Sequence, residues 1–290
     1  MPYTGKVYRP PSEARSLILQ ATTGCPYNRC NFCSMYSDQD FSIKSLAGFK
    51  EHIQAVKQFH RGPVESVFLA DGNTIIIKTE QLLEFLETIR EEFPKVERIT
   101  SYGSARYVNK KSAEELKSLR EAGLARTHTG MESGDADTLE LINKGTTPEE
   151  IIAAGKKVKE AGIELSQYYL VGVGGQDLSE QHAVNSAKVL NHFDPEFIRL
   201  RTFIPIEGTK LHELYQKGKF KLLNAHQALA ETRILIENLD VSSQLLSDHI
   251  SNHWDINGRL PDDREEMLAE IEKASRVELS QFRDPAAGHL

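Results

Sequence analysis

Three cysteines in one short stretch are the residues of this chain best suited to do chemistry. Cys25, Cys30 and Cys33 are the only cysteines among the 290 residues, and they fall within nine consecutive positions after a short apolar run. Thiolates that converge from one loop are ready ligands for iron or zinc. A 4Fe-4S cluster ordinarily takes four cysteines, so three leave one iron open to another ligand. The spacing therefore predicts a metal centre with an open coordination position.

Other uses of these cysteines fit the sequence less well. A tetrahedral zinc site needs a fourth ligand, usually His or Cys, and no histidine lies between Pro2 and Ser42. An odd number of cysteines without a secretory segment does not suit a disulfide framework. Buried structural thiols would be scattered through the core rather than gathered in a loop that contains proline. The pattern favours an iron-sulfur centre.

The spacing C-x4-C-x2-C, with Phe32 just before the last cysteine, resembles the cluster loop of the radical S-adenosylmethionine (SAM) superfamily. The commonest spacing there is C-x3-C-x2-C. The resemblance implies two cofactors, a 4Fe-4S cluster and SAM, with the SAM amino and carboxylate groups on the open iron. It also implies that the cluster donates an electron that cleaves SAM to a 5′-deoxyadenosyl radical, which takes hydrogen from a substrate. An electron donor of flavodoxin or ferredoxin type would supply the electron.

Turns after successive apolar runs extend the resemblance. Gly130–Gly134 is similar to the Gly-x-Glu-Ser-Gly motif of the Elongator/MiaB/NifB and oxygen-independent coproporphyrinogen oxidase-like group. Gly172–Gly175 resembles a Gly-x-Gly-Gly turn beside the adenine, and Pro205–Thr209 a Pro-x-x-Gly-Thr turn. Gly72 stands where relatives carry residues that hold the SAM amino group, although a plain Asp-Gly turn also explains it. The residues expected to bind SAM are Phe32, Gly72, Asn73, Ser104, Arg106, Glu132, Ser133, Gly172, Arg201 and Pro205.

Short apolar runs alternate with amphipathic segments, and these elements must position the turns. Strands are predicted at Ser16–Thr22, Val64–Ala70, Val96–Tyr102, Leu124–Met131, Glu164–Val171 and Phe197–Ile204. Helices are predicted at Ile43–His60, Thr79–Phe93, Ser112–Ala122, Thr147–Ala161 and Ser179–His192. A cap is expected at Thr79 and a capping box at Ser112 with Glu115. Six such units imply an α/β fold, a partial (β/α)6 TIM-like barrel of parallel strands, with an open doubly wound sheet as the alternative. In both folds ligands bind at the carboxyl ends of the strands.

The alternation also predicts the domain organisation. Residues 1–15 form an N-terminal extension, residues 16–222 the barrel, and residues 223–290 a C-terminal helical extension. The net charge is −7, from 35 basic and 42 acidic residues, so nothing in the composition attracts nucleic acid. No apolar run reaches 18 residues, so we expect no membrane span and a cytoplasmic location with reduced thiols. Because one cluster uses every cysteine, auxiliary clusters and cysteine-dependent methylthio or RNA-methyl transfer are excluded.

Strand alternation indicates which side chains line the interior. Arg126, His128 and Glu132 share one face of their strand, and Arg199 with Arg201 share one face of another. If these faces point inward, the cavity is polar and takes a small polar or anionic substrate, because arginine suits carboxylate and phosphate. The alternative is that the arginines face the helices and pair with carboxylates. His128 is interpreted as a packing histidine.

Two histidines four residues apart, His249 and His253, allow a further interpretation. On a shared helix face they would bind metal or haem. The plainer interpretation is a polar segment that covers the barrel mouth and is anchored by Trp254. The leading prediction for the whole chain is a radical SAM enzyme that abstracts hydrogen from a small polar substrate. The alternatives are an RNA-modifying enzyme of the same chemistry and a non-catalytic haem or iron-sulfur binding protein.

Overall fold

The computed structural model describes residues 2–284, and its secondary structure follows the alternation of the sequence. The strands are β1 Leu17–Gln20, β2 Thr22–Thr23, β3 Ser42–Ile43, β4 Ser66–Ala70, β5 Arg98–Gly103, β6 Leu124–Glu132, β7 Glu164–Val171, β8 Phe197–Thr202, β9 Gln244–Leu246 and β10 Gly258–Arg259. The helices are α1 Leu46–Lys57, α2 Thr79–Glu92, α3 Ala105–Val108, α4 Ala113–Glu121, α5 Ala136–Leu141, α6 Pro148–Glu160, α7 Gly175–Asn191, α8 Lys210–Gln216, α9 Ala225–Asn238 and α10 Arg264–Ala274. Short 3-10 helices lie at Pro11–Glu13, Thr74–Ile76 and Leu279–Gln281. Within residues 2–284, no helix is both long and apolar enough to cross a membrane.

The chain divides into two compact units whose residue ranges interleave. The first unit holds the residues up to 28, residues 35–129 and residues 157–165. The second unit holds residues 29–34, residues 130–156 and the residues from 166 onward. The predicted domains 1–15, 16–222 and 223–290 were defined by the alternation of strands and helices rather than by contacts, and they stay a prediction. The last of them includes residues 285–290, which lie outside the described residues.

In the first unit the sheet order is β1-β4-β5-β6, and each adjacent pair is parallel. The register aligns Leu19 with Leu69 and Leu69 with Ser101, so these side chains share one face of the sheet. Leu19 and Leu69 are completely buried, as are apolar side chains of α1 and α2. The rings of Phe49 and Phe85 stack with their centroids 4.2 Å apart and join these two helices.

In the second unit β7, β8 and β9 are parallel neighbours, and β10 runs antiparallel to β9. Helices α7 and α9 pack together on the face that carries the buried side chains of Tyr169 and Leu200. The six predicted strands are all present, and the α/β class with a mostly parallel sheet and flanking helices is confirmed. Strands β9 and β10 are additions from the C-terminal extension. They hold only three and two residues, which is too short for an alternation pattern to indicate them.

Two expectations about helix starts had different outcomes. The capping box of α4 is confirmed, because Ser112 accepts from the Glu115 backbone N–H and Glu115 accepts from the Ser112 N–H. The cap at Thr79 is wrong. Lys78 precedes α2 without a side-chain cap, and the Thr79 hydroxyl donates instead to the Glu115 carboxylate. The Thr79 hydroxyl forms this long-range hydrogen bond and therefore does not cap α2.

His128 of β6 is a packing histidine, as interpreted. It is completely buried in the first unit, and its Nε2 lies 2.9 Å from a carboxylate oxygen of Glu13. That carboxylate also accepts from Ser16 at 2.6 Å and from Arg98 at 3.1 Å. Burial opposes the charge on Glu13, but the hydrogen bonds from His128 and Ser16 outweigh it and lower the pKa of the carboxyl. The end of the N-terminal extension is thereby locked to the strands.

Candidate functional site

The segment that carries Cys30 and Cys33 is anchored within the second unit. Between them, the backbone N–H and side-chain amide of Asn31 donate at 2.8 Å to the carbonyl oxygens of Ile142 and Leu141, at the end of α5. The Asn31 carbonyl accepts from the N–H of Leu211 in α8 at 2.9 Å. All three cysteines of the chain are half-buried, and none of them is in a disulfide. Cys25 belongs to the first unit.

Lys144 supplies a positive charge beside Cys30 and Cys33. Its Nζ lies 2.9 Å from the Glu132 carboxylate and 5.6 Å from the ring centroid of Phe32. Burial opposes the charge on Lys144, but Glu132 and then the two thiols outweigh it and raise the pKa of the ammonium group. Lys144 therefore stays charged and stabilises thiolates. The sequence analysis missed it, because the nine residues that separate it from the Glu-Ser-Gly motif include all of α5.

The carboxylate of Glu132 is turned toward Lys144 by local backbone geometry. Glu132 has φ +63°, a left-handed conformation that is unusual for a residue other than glycine. A Cβ at Gly130 would clash with the Glu132 carboxylate. Glycine at that position of the motif therefore leaves room for the Glu132–Lys144 ion pair. The structure brings together Phe32 and Glu132, two of the predicted SAM-binding residues, around this lysine.

In the first unit, Gly72 lies against the loop that carries Cys25. A Cβ at Gly72 would clash with the carbonyl oxygen of Gly24 and would lie 3.0 Å from the Cα of Cys25. The next residue, Asn73, donates through Nδ2 to the Ser104 hydroxyl at 2.7 Å. Its Oδ1 is buried and has no hydrogen-bond partner among the described residues. A buried acceptor without a donor is rare, so Asn73 offers a place for an N–H donor such as an ammonium group.

Residues that sequence analysis did not single out hold the Gly72 turn. The hydroxyl of Tyr36 accepts from the Gly72 N–H at 3.1 Å and lies 3.4 Å from the Asp71 carboxylate. The second carboxylate oxygen accepts from Gln20 at 2.7 Å. Burial raises the pKa of Asp71 to about 6, and burial followed by the Asp71 charge raises the pKa of Tyr36. Their hydrogen bonds run through the tertiary fold, so no local pattern could have found them.

Three further predicted SAM-binding residues have clear positions. Arg106, in α3, stacks its guanidinium 4.5 Å from the ring centroid of Tyr27 in the first unit. In the second unit the Ser133 hydroxyl is completely buried, 2.8 Å from Nδ1 of His182. Pro205 is half-buried in the loop that follows β8. The hydroxyl of Ser133 is thus used inside the second unit, where it orders the turn after β6.

Glu231 of α9 holds the Gly172 turn. Its carboxylate accepts from the Gly172 N–H at 2.8 Å, from the Tyr169 hydroxyl at 3.0 Å and from the Ser179 hydroxyl at 2.6 Å. His182 stacks on Tyr169, with ring centroids 4.5 Å apart. Gly172 has φ +79°, which favours glycine at this turn. A residue of the C-terminal extension therefore fixes a turn that the sequence assigned to the adenine.

Arg201 lies on the face of β8 opposite to Tyr169 and Glu231. The register aligns Arg199 with Tyr168, and the Arg201 guanidinium lies 4.9 Å from the Tyr168 ring centroid. Arg199 donates to the Ser166 hydroxyl at 3.0 Å. Neither arginine therefore lies on the face that packs against α7 and α9. Among residues 2–284, no carboxylate lies within ion-pair distance of Arg201.

The segment around His249 and His253 is not a helix. Residues 247–254 form turns and bends, so the expectation of a shared helix face is wrong. Nδ1 of His249 accepts from the Ser251 N–H at 3.1 Å, whereas Nδ1 of His253 lies 3.1 Å from the Arg283 carbonyl oxygen. Trp254 anchors the segment by donating to Glu270 at 2.9 Å. The plainer interpretation of this segment is confirmed in that respect.

The segment also attaches to the carboxyl end of β8. The buried side-chain amide of Asn252 donates to the Leu200 carbonyl oxygen at 2.9 Å and accepts from the Thr202 hydroxyl at 3.1 Å. Asn252 thus attaches residues 247–254 to the carboxyl end of β8, the strand that carries Arg201.

The sequence profile of the Radical SAM superfamily matches residues 19–187, which is more than half of the chain. The chain belongs to the radical SAM superfamily. Members use a 4Fe-4S cluster and SAM and need a reductant, so the predicted family and its cofactors are confirmed. Within residues 2–284, no three His, Cys, Asp or Glu side chains form a complete metal site. The assignment of Cys25, Cys30 and Cys33 as ligands rests on their pattern and on the family.

Individual relatives match at low identity. The chain is 24% identical over 193 residues to the heme chaperone HemW of Bacillus subtilis, across 66% of this chain and 50% of that protein. Coproporphyrinogen III oxidase HemN of Escherichia coli superposes with a TM-score of 0.58 at 17% identity, across 77% of this chain and 51% of that one. Methylornithine synthase PylB gives 0.55 at 18% identity, across 88% and 68%. The chain spans between 34% and 50% of the first curated relatives' lengths.

Proposed function

We propose that this chain is a radical SAM enzyme that binds one 4Fe-4S cluster through Cys25, Cys30 and Cys33 and acts on a small polar substrate. The observation that carries the proposal is that all three cysteines fall within the family match, residues 19–187, and that none of them is in a disulfide. The chain has no fourth cysteine, so one iron stays open for SAM. When bound, the cluster supplies the electron that cleaves SAM reductively.

The residues around the cysteines have physical roles in this proposal. Lys144 offsets the negative charge of the thiolates at Cys30 and Cys33, which favours their deprotonated, metal-binding form. Asn73 accepts from the SAM ammonium group through Oδ1, because Ser104 already accepts the hydrogen bond from Nδ2. The absence of a side chain at Gly72 lets the backbone of the Cys25 loop approach. These features fit a thiolate-bound cluster and an amino acid ligand.

The remaining predicted residues support binding indirectly or await a test. Glu132 holds Lys144, Ser133 orders its own turn, and Gly172 is fixed by Glu231. We retain Phe32, Arg106 and Pro205 as candidates for contact with SAM. An electron donor of flavodoxin or ferredoxin type remains part of the proposal.

A second candidate, a haem carrier, is favoured by one observation, the likeness to a protein named heme chaperone. The haem ligands expected from sequence, His249 and His253, are not on one helix. Burial lowers the pKa of both imidazoles, so both are neutral at pH 7. A stable Soret band on addition of haem, lost in His249→Ala or His253→Ala, would favour the carrier. We expect no such band.

The experiment that tests the enzyme proposal follows 5′-deoxyadenosine by chromatography. Anaerobically reconstituted protein is mixed with SAM and dithionite, and wild type is compared with Cys30→Ala. Ser37→Ala, in the same loop, is the matched control because it keeps all three thiols. We expect product from wild type and Ser37→Ala and none from Cys30→Ala. No SAM binding by a protein with a fully formed cluster would contradict the proposal.

A further inference from the structure

Arg201 and His249 both belong to the second unit, and hydrogen bonds connect their surroundings. Asn252 donates its backbone N–H to the His249 carbonyl oxygen at 2.9 Å. The Asn252 side chain forms hydrogen bonds with Leu200 and Thr202, the two neighbours of Arg201.

The Arg201 guanidinium has no carboxylate partner among the described residues and stacks beside the Tyr168 ring. Its positive charge is close enough to act on the imidazole of His249. A guanidinium without an acidic partner is ready for an anion, because its planar fork matches two oxygens of a carboxylate or a phosphate.

The tautomer of His249 is fixed by its neighbour. The backbone N–H of Ser251 can only donate, and it lies 3.1 Å from Nδ1 of His249, so Nδ1 carries a lone pair. Burial and then the Arg201 charge lower the pKa of His249 to about 4, so the ring is neutral at pH 7 and its proton is on Nε2. Among residues 2–284, nothing accepts a hydrogen bond from this Nε2–H. His249 therefore adds a free donor to the charge of Arg201.

Both residues lie beyond the residues that the family model matches. The family match ends at residue 187, whereas Arg201 is in β8 and His249 is in the segment that follows β9. SAM and the cluster are common to the superfamily, whereas substrates differ between its members. Since the resemblance places the SAM amino and carboxylate groups on the open iron, these two donors are available to a different ligand.

We infer that Arg201 and His249 bind an anionic group, a carboxylate or a phosphate, of the substrate. This inference rests on the proposed function for the identity of the ligand as a substrate. Arg201, which was predicted from the sequence to bind SAM, is thereby assigned to the substrate instead. Tyr168 packs against the guanidinium and keeps its plane in place, and Ser251 keeps Nε2 of His249 as a donor.

The test is a titration of the reconstituted protein with inorganic phosphate, and separately with acetate, at pH 7.5 and constant ionic strength. Histidine is labelled with 15N, and the imidazole resonances are followed by NMR, with His249 assigned from His249→Gln. We expect a saturable shift of the His249 Nε2 resonance with at least one of the two anions. The His253 resonance, whose Nδ1 lies beside the Arg283 carbonyl, should stay in place.

Three variants make the titration specific. Arg201→Gln should weaken anion binding at least about tenfold, since a charge-assisted hydrogen bond is lost. Arg201→Lys keeps the charge but loses the planar fork, so its affinity for the anion should lie between those of wild type and Arg201→Gln. Arg233→Gln removes one positive charge from the exposed side of α9 and should bind like wild type. Equal binding by Arg201→Gln, or a flat titration of wild type, would overturn the inference.

Addition of saturating SAM separates the two sources of a carboxylate. If the pair serves the substrate, the phosphate or acetate shift persists with SAM bound. If SAM displaces the anion, the pair holds the SAM carboxylate and the inference is overturned. If wild type produced no 5′-deoxyadenosine, the proposed function would be wrong, whereas a saturable titration would still show that Arg201 and His249 bind an anion. A flat titration with normal SAM cleavage would defeat only this inference.

Discussion

Two buried aspartates, one in each unit, meet opposite electrostatic surroundings. Asp71 follows β4 in the first unit, and burial raises its pKa to about 6 although Gln20, Tyr36 and the Tyr8 backbone donate to it. Asp135 follows β6 in the second unit. Burial opposes its charge too, but donors from Asn185, Thr138 and Gln181 outweigh it and lower the pKa. The deeper desolvation of Asp71 and the larger number of donors to Asp135 together give the two shifts opposite signs.

A similar contrast separates the surroundings of the cysteines in each unit. Around Cys30 and Cys33, the second unit pairs Glu132 with Lys144 and so balances charge with charge. Around Cys25, the first unit has a buried Asp71 that no described cation pairs with, and an amide oxygen on Asn73 without a donor. The described charges around Cys30 and Cys33 are therefore balanced, whereas open acceptors remain around Cys25. Open acceptors are expected where a ligand that carries N–H groups has yet to bind.

The strongest way to break this contrast is Lys144→Met. It leaves the half-buried Glu132 carboxylate and two thiols without their cation, and thiolates become harder to form. We expect iron incorporation to fall sharply and 5′-deoxyadenosine production to drop by about 100-fold, which is ~2.7 kcal/mol. Iron and sulfide analysis after reconstitution measures the first effect. Lys144→Arg keeps the charge and should retain most of the iron; equal loss in both variants would point to packing instead.

Removal of Glu231 tests how far the dense bonding of the second unit stabilises it. Glu231→Ala leaves two buried donors, on Tyr169 and Gly172, and a half-buried one on Ser179 without their acceptor. We expect the free energy of unfolding in urea to fall by about 4 kcal/mol. Glu237→Ala, on the same helix but exposed, should leave it almost unchanged. Similar losses in the two variants would show that α9 itself, and not the network, is responsible.

The aspartates themselves provide the finest test of the contrast. The folded-state pKa of Asp71 is raised from 3.8 to about 6, so folding stability falls as the pH rises through that range. At pH 7.5 Asp71→Asn should therefore stabilise the protein, by up to about 3 kcal/mol, and at pH 4 it should have little effect. Asp135→Asn should destabilise the protein at pH 7.5. The pKa of Asp135 is lowered in the folded state, so its carboxylate stabilises the folded state at pH values above that pKa. Urea unfolding of both variants at the two pH values measures this; the same sign for both would contradict it.

Much of the fold could be predicted from local sequence, because long β-branched and amphipathic runs follow the periods of strand and helix. Glu164–Val171 was predicted to the residue, and the Ser112–Glu115 capping box was correct. Local patterns could not reveal β9 or β10, which are too short, nor that Thr79 would donate to Glu115. Partners decided by tertiary packing are invisible to periodicity.

The site divides in the same way. Cys25, Cys30 and Cys33 were predicted from their spacing, because soft ligands within nine positions are a local signal. Lys144 and Glu231 were missed, because each acts on a turn that is distant in sequence. The orientation of Arg201 depended on strand register, which alternation alone leaves open.

The central claim is that three cysteines hold a cluster with one iron open to SAM. The most direct measurement is the low-temperature EPR spectrum of the anaerobically reconstituted, dithionite-reduced protein before and after addition of SAM. We predict the signal of a reduced 4Fe-4S cluster whose g values shift when SAM binds, and no such cluster in Cys30→Ala. A cluster signal that SAM leaves unchanged, or one that persists in Cys30→Ala, would contradict the claim.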